Sequence, residues 1–298
     1  VAPSSDANAT LTNNRTINSL KLTSGIDVAQ AGFTLTVQSG GILTTGAAAA
    51  TISGGTLTTG NANDLIVHAY NTGGTTISST ITGTGGLTKA GSQTLTLSGT
   101  AANTFTGTTY VNDGLLILNK TSGVAALGGD VIVGDGRGRD TLEFEVGANN
   151  QLLSTADVTL RGGLTGASAT TANQATLDLN GTTQTFDQLT IEGNSVIDFS
   201  GGDPCAPTFL NISDINFVGD ATLTIKNWVE FTDFFLVKSD ATIDFSRITF
   251  EGYGGQAYWQ DYSTGWKQIT PVPEPSTYGA IFIGGAVAFH FLRRRRRE

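Results

Sequence analysis

Glu143 and Glu145 stand two residues apart in the alternating run Leu142–Val146, which puts both carboxylates on one face of a strand. Strand rise separates them by roughly 7 Å. An acid and a base that flank a glycosidic bond need a comparable gap, and solvated strand faces carry such pairs as a matter of course. Other reactive groups are sparse. His68, in the apolar stretch LIVHAY, is the only histidine outside the C-terminal 28 residues. It reads as a packed or rim imidazole, and with no second histidine to act as a base a Ser-His-Asp triad cannot be assembled. No ligand spacing for zinc occurs. The turn GDGRGRD (134–140) has neither the acidic spacing of a calcium loop nor the Lys-Ser/Thr of a phosphate loop. Cys205, in GGDPCAP, is the sole cysteine. An internal disulfide is therefore impossible, which leaves an incidental thiol or an intermolecular bridge in an oxidising compartment. No catalytic residue, metal ligand or cofactor site is expected. The run YWQDYSTGW offers Tyr258, Trp259 and Trp266 with an interleaved Asp and Gln. Aromatic faces with polar neighbours can stack on sugar rings, and the same rings can equally plug the end of a core.

The elements that would hold these groups are strands. Apolar residues alternate with polar ones at Leu20/Leu22, Phe33/Leu35/Val37, Leu95/Leu97, Leu142/Phe144/Val146, Leu177/Leu179, Leu189/Ile191, Leu210/Ile212, Leu223/Ile225, Ile243/Phe245 and Ile248/Phe250. Short period-two runs bounded by Gly, Asn, Asp and Thr are half-buried strands. Glycine, at 39 of 298 residues, stands near twice its usual share of about 7% and marks many tight turns. SGGILTTG (39–46) recurs as SGGTLTTG (53–60). Repetition of strand and turn without long linkers predicts a parallel β-solenoid, with a β-sandwich as the alternative. Phenylalanine becomes common after Asp198, and all three tryptophans lie beyond it. Residues 198–270 are thus expected to end and cap a solenoid that occupies 1–197, since an open solenoid end exposes core and strand edges.

The C-terminal stretch 271–298 is of another kind. Pro271, Pro273 and Pro275 alternate around Glu274 and force a stiff, extended spacer. Thr277 to Leu292 carries no formal charge, and as a helix it would reach about 24 Å, short of a bilayer core of about 30 Å unless its flanks help. Arg293, Arg294, Arg295, Arg296 and Arg297 follow directly. They can snorkel, and they orient the span with the C-terminus in the cytoplasm and residues 1–270 outside. His290 sits near the arginine end as an interfacial imidazole, and Ala280, Gly284 and Ala288 form a small-residue stripe suited to close helix packing. Without the five arginines and Glu298, 16 basic and 25 acidic residues become 11 and 24, a net −13. That balance excludes nucleic acid and anionic lipid as partners of the ectodomain.

Box (Pro273, Glu274, Pro275), apolar span and arginine run, in that order, resemble the PEP-CTERM sorting signal of Gram-negative bacteria. The resemblance implies recognition by an exosortase, a membrane transpeptidase, at a transient single span, and an association with exopolysaccharide. It also implies an export signal upstream of Val1, an inner-membrane-anchored precursor with its ectodomain in the periplasm, and delivery to the surface. A second resemblance covers residues 81–118. Gly83, Gly85, Leu87, Lys89, Gly91, Leu95, Leu97, Gly99, Asn103, Phe105, Thr106, Gly107, Thr109 and Gly114 fit the skeleton of the autotransporter-associated β-strand repeat. LDLNGTTQTFDQLTI (177–191) is similar to the strand–Asn-Gly–strand unit that follows it. This repeat belongs to the passenger β-helices of adhesins and proteases, so it implies a right-handed parallel β-helix and no particular activity. The expectation is an exported structural or adhesive protein, with a carbohydrate-binding β-helix or a polysaccharide lyase or hydrolase as alternatives.

Overall fold

The computed structural model describes residues 9–23, 25–163, 173–202, 206–254 and 256–272. The PEP box, the apolar stretch with His290, the arginine run and Cys205 lie outside them. The described chain is an all-β parallel solenoid. Its longest sheet has eleven strands, from Ala9–Thr10 to Ile248–Phe250, and a second has nine, from Leu20–Thr23 to Asp214–Phe217. The third face starts as four stacked strands, Arg15–Ile17, Thr34–Val37, Thr56–Thr59 and Thr80–Thr82. It ends as a five-stranded sheet ordered Thr183–Thr185, Thr208–Ile212, Asp233–Lys238, Trp266–Pro271, Ala257–Ser263. A β-sandwich is thereby set aside, because strand neighbours are successive coils paired in parallel, whereas a sandwich pairs its strands antiparallel.

Alternation places one ladder of side chains inside. Leu95, Leu116, Leu142, Leu177, Ile197, Ile225 and Phe250 follow one another in register across successive strands, and all are buried. Each such side chain contributes about 1.5–3 kcal/mol on leaving water. Leu87 pairs with Leu65 on one side and Thr109 on the other, so a coil takes roughly 20–25 residues. The visible repeat is not that period. Gly41–Thr45 from the first SGG copy lies in the nine-stranded sheet, while Thr56–Thr59 from the second lies in the four-stranded one. The two copies sit on different faces, with the strand Ala50–Ser53 of the eleven-stranded sheet between them, and are not stacked equivalents.

Two expected strand runs differ. Val146 is 66% exposed, because the strand Asp140–Phe144 ends before it and the chain turns through Gly147 at φ +81°. Ile243 and Phe245 form no strand. Phe245–Arg247 is a 3-10 turn, started by Asp244, whose side chain accepts from the Ser246 N–H. A local side chain-to-backbone bond wins there over the apolar alternation.

Coil corners are held by buried polar side chains. Gln30 donates through Nε2 to Thr56 O at 2.8 Å and accepts from the Ser79 hydroxyl. Thr44, Thr75 and Asn71 form a buried cluster with hydroxyl contacts of 2.7–2.8 Å. Asn103 accepts from Ile81 N at 2.9 Å and donates to Ala126 O at 2.8 Å, so one amide joins three coils. Gln151 and Gln184 repeat this further along, with Gln184 Oε1 accepting from Gln151 N at 2.9 Å. Close stacking also demands glycine. A Cβ on Gly40 (φ +75°) would stand 1.9 Å from Asp64 O, while one on Gly138 (φ +72°) would meet nothing within 4 Å. Both positions disfavour L side chains, at about 1 kcal/mol. Gly40→Ala is therefore expected to lower the thermal midpoint well beyond Gly138→Ala, as read by circular dichroism; equal effects would show that coil contact does not matter at Gly40.

Candidate functional site

The five-stranded sheet divides the three predicted aromatics. Ile269 is fully buried and marks its inner face. Trp259 pairs with Ile269 and shares that side, packed edge-on against Phe245 at 5.4 Å with Lys267 Nζ 3.6 Å over its ring. Tyr258 and Trp266 alternate to the outer face. There they join Phe209 and Phe234, which are in register on adjacent strands and stack at 4.6 Å with planes 10° apart. Tyr262 meets Phe234 edge-on at 5.6 Å and is 42% exposed. Asn211, Gln260 and Gln268 lie among these rings, with Gln260 Nε2 3.5 Å from Gln268 Oε1. The outer face is thus a strip of half-exposed aromatics with the accessible amides of Asn211 and Gln260, while Gln268 is buried and donates to Asp233 O. Phe209 and Phe234 escape sequence reasoning because their neighbourhood depends on a register between segments 25 residues apart.

The carboxylates form a ladder. Glu143 pairs in register with Asp178, Asp178 with Asp198, and Asp198 with Lys226, which reaches Glu251 at 3.8 Å. Burial raises the Glu143 pKa, and Asp178 then Glu145 raise it further. The cross-coil neighbour outweighs the in-strand partner that the sequence suggested. Burial also raises Asp178, opposed by its hydrogen bond from Ser200. Ser200 ties the two aspartates together, its hydroxyl donating to Asp178 Oδ1 at 2.8 Å and its N–H to Asp198 Oδ1 at 2.9 Å. Asn180 N and Asn227 Nδ2 supply further donors. These carboxylates hold the turns at 178–180 and 198–200 in shape, and the geometry gives them a structural task.

Elsewhere, His68 is exposed at the end of the strand Leu65–Ala69, its ring parallel to Tyr70 at 6.4 Å. GDGRGRD forms a turn, with Asp135 Oδ1 accepting from Arg137 N at 2.8 Å. Among the described residues no group of three or more His, Cys, Asp or Glu is arranged to hold a metal ion, and no helix is long and apolar enough to cross a membrane.

Lys89 and Asp140 are both buried inside the rod. Lys89 is fully buried and donates to Gly91 O and Asp113 O, both at 2.6 Å. Desolvation lowers its pKa to about 8, although Asp113 and Asp140 favour the charged form. Asp140, 2% exposed, leaves Oδ1 without a hydrogen bond. Its pKa rises to about 7, chiefly by burial and then by Asp135. Lys120 does similar work, donating to Ser98 O at 2.8 Å.

Comparison with known proteins fits this architecture. Residues 271–297 match the family model of the PEP-CTERM protein-sorting motif, and the chain carries that motif. Over 158 residues, 49% of this chain, it is 33% identical to the adhesin BmaC autotransporter of Brucella suis biovar 1 (strain 1330). The similarity supports the autotransporter-associated repeat. The match spans only 4% of that adhesin's length. No solved structure matches the chain.

The buried carboxyl makes stability depend on pH. Asp140 holds its proton up to about pH 7 when folded but only to about 4 when unfolded. The folded state therefore binds more protons between those values, and this group's contribution falls as pH rises through the window, staying low above it. Asp140→Asn cannot ionise. Its denaturation midpoint should exceed the parent's at pH 8, with the gap closing toward pH 4; a gap that widens on acidification would contradict the assignment.

Proposed function

We propose that this chain is an exported, non-enzymatic structural or adhesive protein of the bacterial surface. Its body is a right-handed β-helical rod, closed at the C-terminal end by the Ala257–Ser263/Trp266–Pro271 hairpin and the aromatic cluster beneath it. The observation that carries this reading is continuity: the sorting motif begins at Pro271, the last residue of the rod's final strand. The apolar stretch 277–292 anchors a precursor in the inner membrane with the rod in the periplasm. An exosortase then reads Pro273, Glu274 and Pro275, and the rod passes to the surface or to an exopolysaccharide matrix. Similarity to an autotransporter adhesin supports an adhesive role. The poverty of catalytic groups, with Asp178 and Asp198 engaged in turns, supports a non-enzymatic one.

A second reading is favoured by the outer aromatic strip. Phe209, Phe234 and Tyr262, with amides between them, offer stacking faces and hydrogen bonds to a glycan chain.

Cell fractionation tests the first reading. Glu274→Ala with Pro275→Ala should hold the protein in the membrane fraction, and an unchanged distribution between membrane and surface would sink it. Affinity electrophoresis in exopolysaccharide tests the second. Phe234→Ala and Tyr262→Ala should each weaken retention severalfold, while Trp259→Ala, on the inner face, should lower stability instead. Retention indifferent to both outer-face changes would remove the glycan reading.

A further inference from the structure

Three exposed apolar side chains gather where the described chain ends at Val272. Phe231 is 87% exposed, the most exposed large apolar side chain among the described residues, with Val229 at 52% and Val272 at 38%. All three lie at one end of the five-stranded sheet. Asp233–Lys238 runs antiparallel to Trp266–Pro271, with Phe235 opposite Ile269. Continuing that register by two residues puts Asp233 beside Pro271, so the loop 229–232 flanks the exit at Val272.

Phe231 is also held outward. Its φ of +66° is strained for a residue with a Cβ. The loop keeps it there through hydrogen bonds from Thr232 N and Asp233 N to Val229 O at 3.2 and 3.0 Å, and from Val229 N to Asp233 Oδ2 at 2.6 Å. Strain and hydrogen bonds together keep the phenylalanine displayed beside two further exposed apolar side chains, which suits a surface that becomes covered.

Chain length names the partner. Five residue steps separate Val272 from Thr277, where the apolar stretch begins. Fully extended they reach about 17 Å, and the headgroup layer beside the hydrocarbon is itself several ångströms deep. We infer that the loop 229–232, with Val272, forms a lipid-contacting surface that seats the end of the rod on the bilayer while the tail is anchored. This rests on the anchor reading above. The neighbouring Glu230 offers no attraction to anionic headgroups, and Asp233 is buried under the loop, so the contact rests on apolar burial and suits zwitterionic lipid.

The test uses the full chain in phosphatidylcholine vesicles with Cys205→Ser and a spin label at Phe231→Cys or Val146→Cys. Val146 is 66% exposed and lies mid-rod. At position 231 collisions with a water-soluble nickel chelate should fall at least tenfold below those at 146, and oxygen collisions should rise. Equal, water-like collisions at both sites in vesicle-bound protein would overturn the lipid contact and leave the anchor standing. Failure of the chain to associate with vesicles would overturn both. Water-like collisions at 231 together with loss of exosortase cleavage in Phe231→Ser would reassign the surface to the peptidase.

Discussion

Each coil of this rod pairs its backbone with the coils before and after it, and at the corners the ladder thins to scattered bonds such as Ser39 N–H to Asn18 O and Thr106 N–H to Gly83 O. Peptide groups turned inward there have no strand partner, and an unpaired buried peptide group costs about as much as a lost hydrogen bond. Buried amides and hydroxyls fill the gaps: Gln30, the Thr44–Thr75–Asn71 cluster, Asn103, Gln151 and Gln184. Lys89 and Lys120 do the same with charged donors aimed at carbonyl oxygens. The composition follows from this constraint. Glycine passes corners where a neighbouring coil leaves no room for Cβ, threonine suits the half-exposed outer faces, and the buried Lys89 and Lys120 stand near strand ends with their ammonium groups on backbone carbonyls.

A stack governed by nearest neighbours must also stop. On the third face it stops by reversing direction, since Trp266–Pro271 pairs antiparallel with Asp233–Lys238 and Ala257–Ser263 folds back outside it. Beneath, Phe199, Trp228 and Phe250 pack edge-on at 5.1 Å. The reversal ends parallel stacking on that face, turns an aromatic strip outward, and delivers the chain to its sorting motif beside the loop of Phe231. Closure of the rod, its outer aromatic strip and the start of the sorting motif are concentrated in one place.

The carboxylates take on a structural meaning in three dimensions. Carboxylates do converge on the long sheet, yet Ser200, Asn180 and Asn227 engage Asp178 and Asp198 as turn supports. The strongly perturbed Asp140 lies inside the rod, out of reach of a substrate. Acid groups here hold turns and coils together.

The sequence alone determined the class of element, the inward face of most strands and the sorting tail, because all three are local: alternation has a period of two, and the tail is one contiguous string of proline box, apolar run and arginines. Leu142 and Phe144, Leu189 and Ile191, Leu223 and Ile225 are buried as their spacing required. Tertiary structure alone decided which strands are neighbours. Coil lengths vary, from 19 residues between Ala9 and Val28 to 35 between Leu142 and Leu177, so register cannot be counted along the chain. That is why the Gly41–Thr45 and Thr56–Thr59 copies lie on different faces, why Phe209 meets Phe234, why Trp259 turns away from Tyr258 and Trp266, and why Glu143 answers to Asp178 before Glu145. In a solenoid, backbone pairing between coils fixes every side chain's neighbours, and that pairing exists only once the coils are stacked.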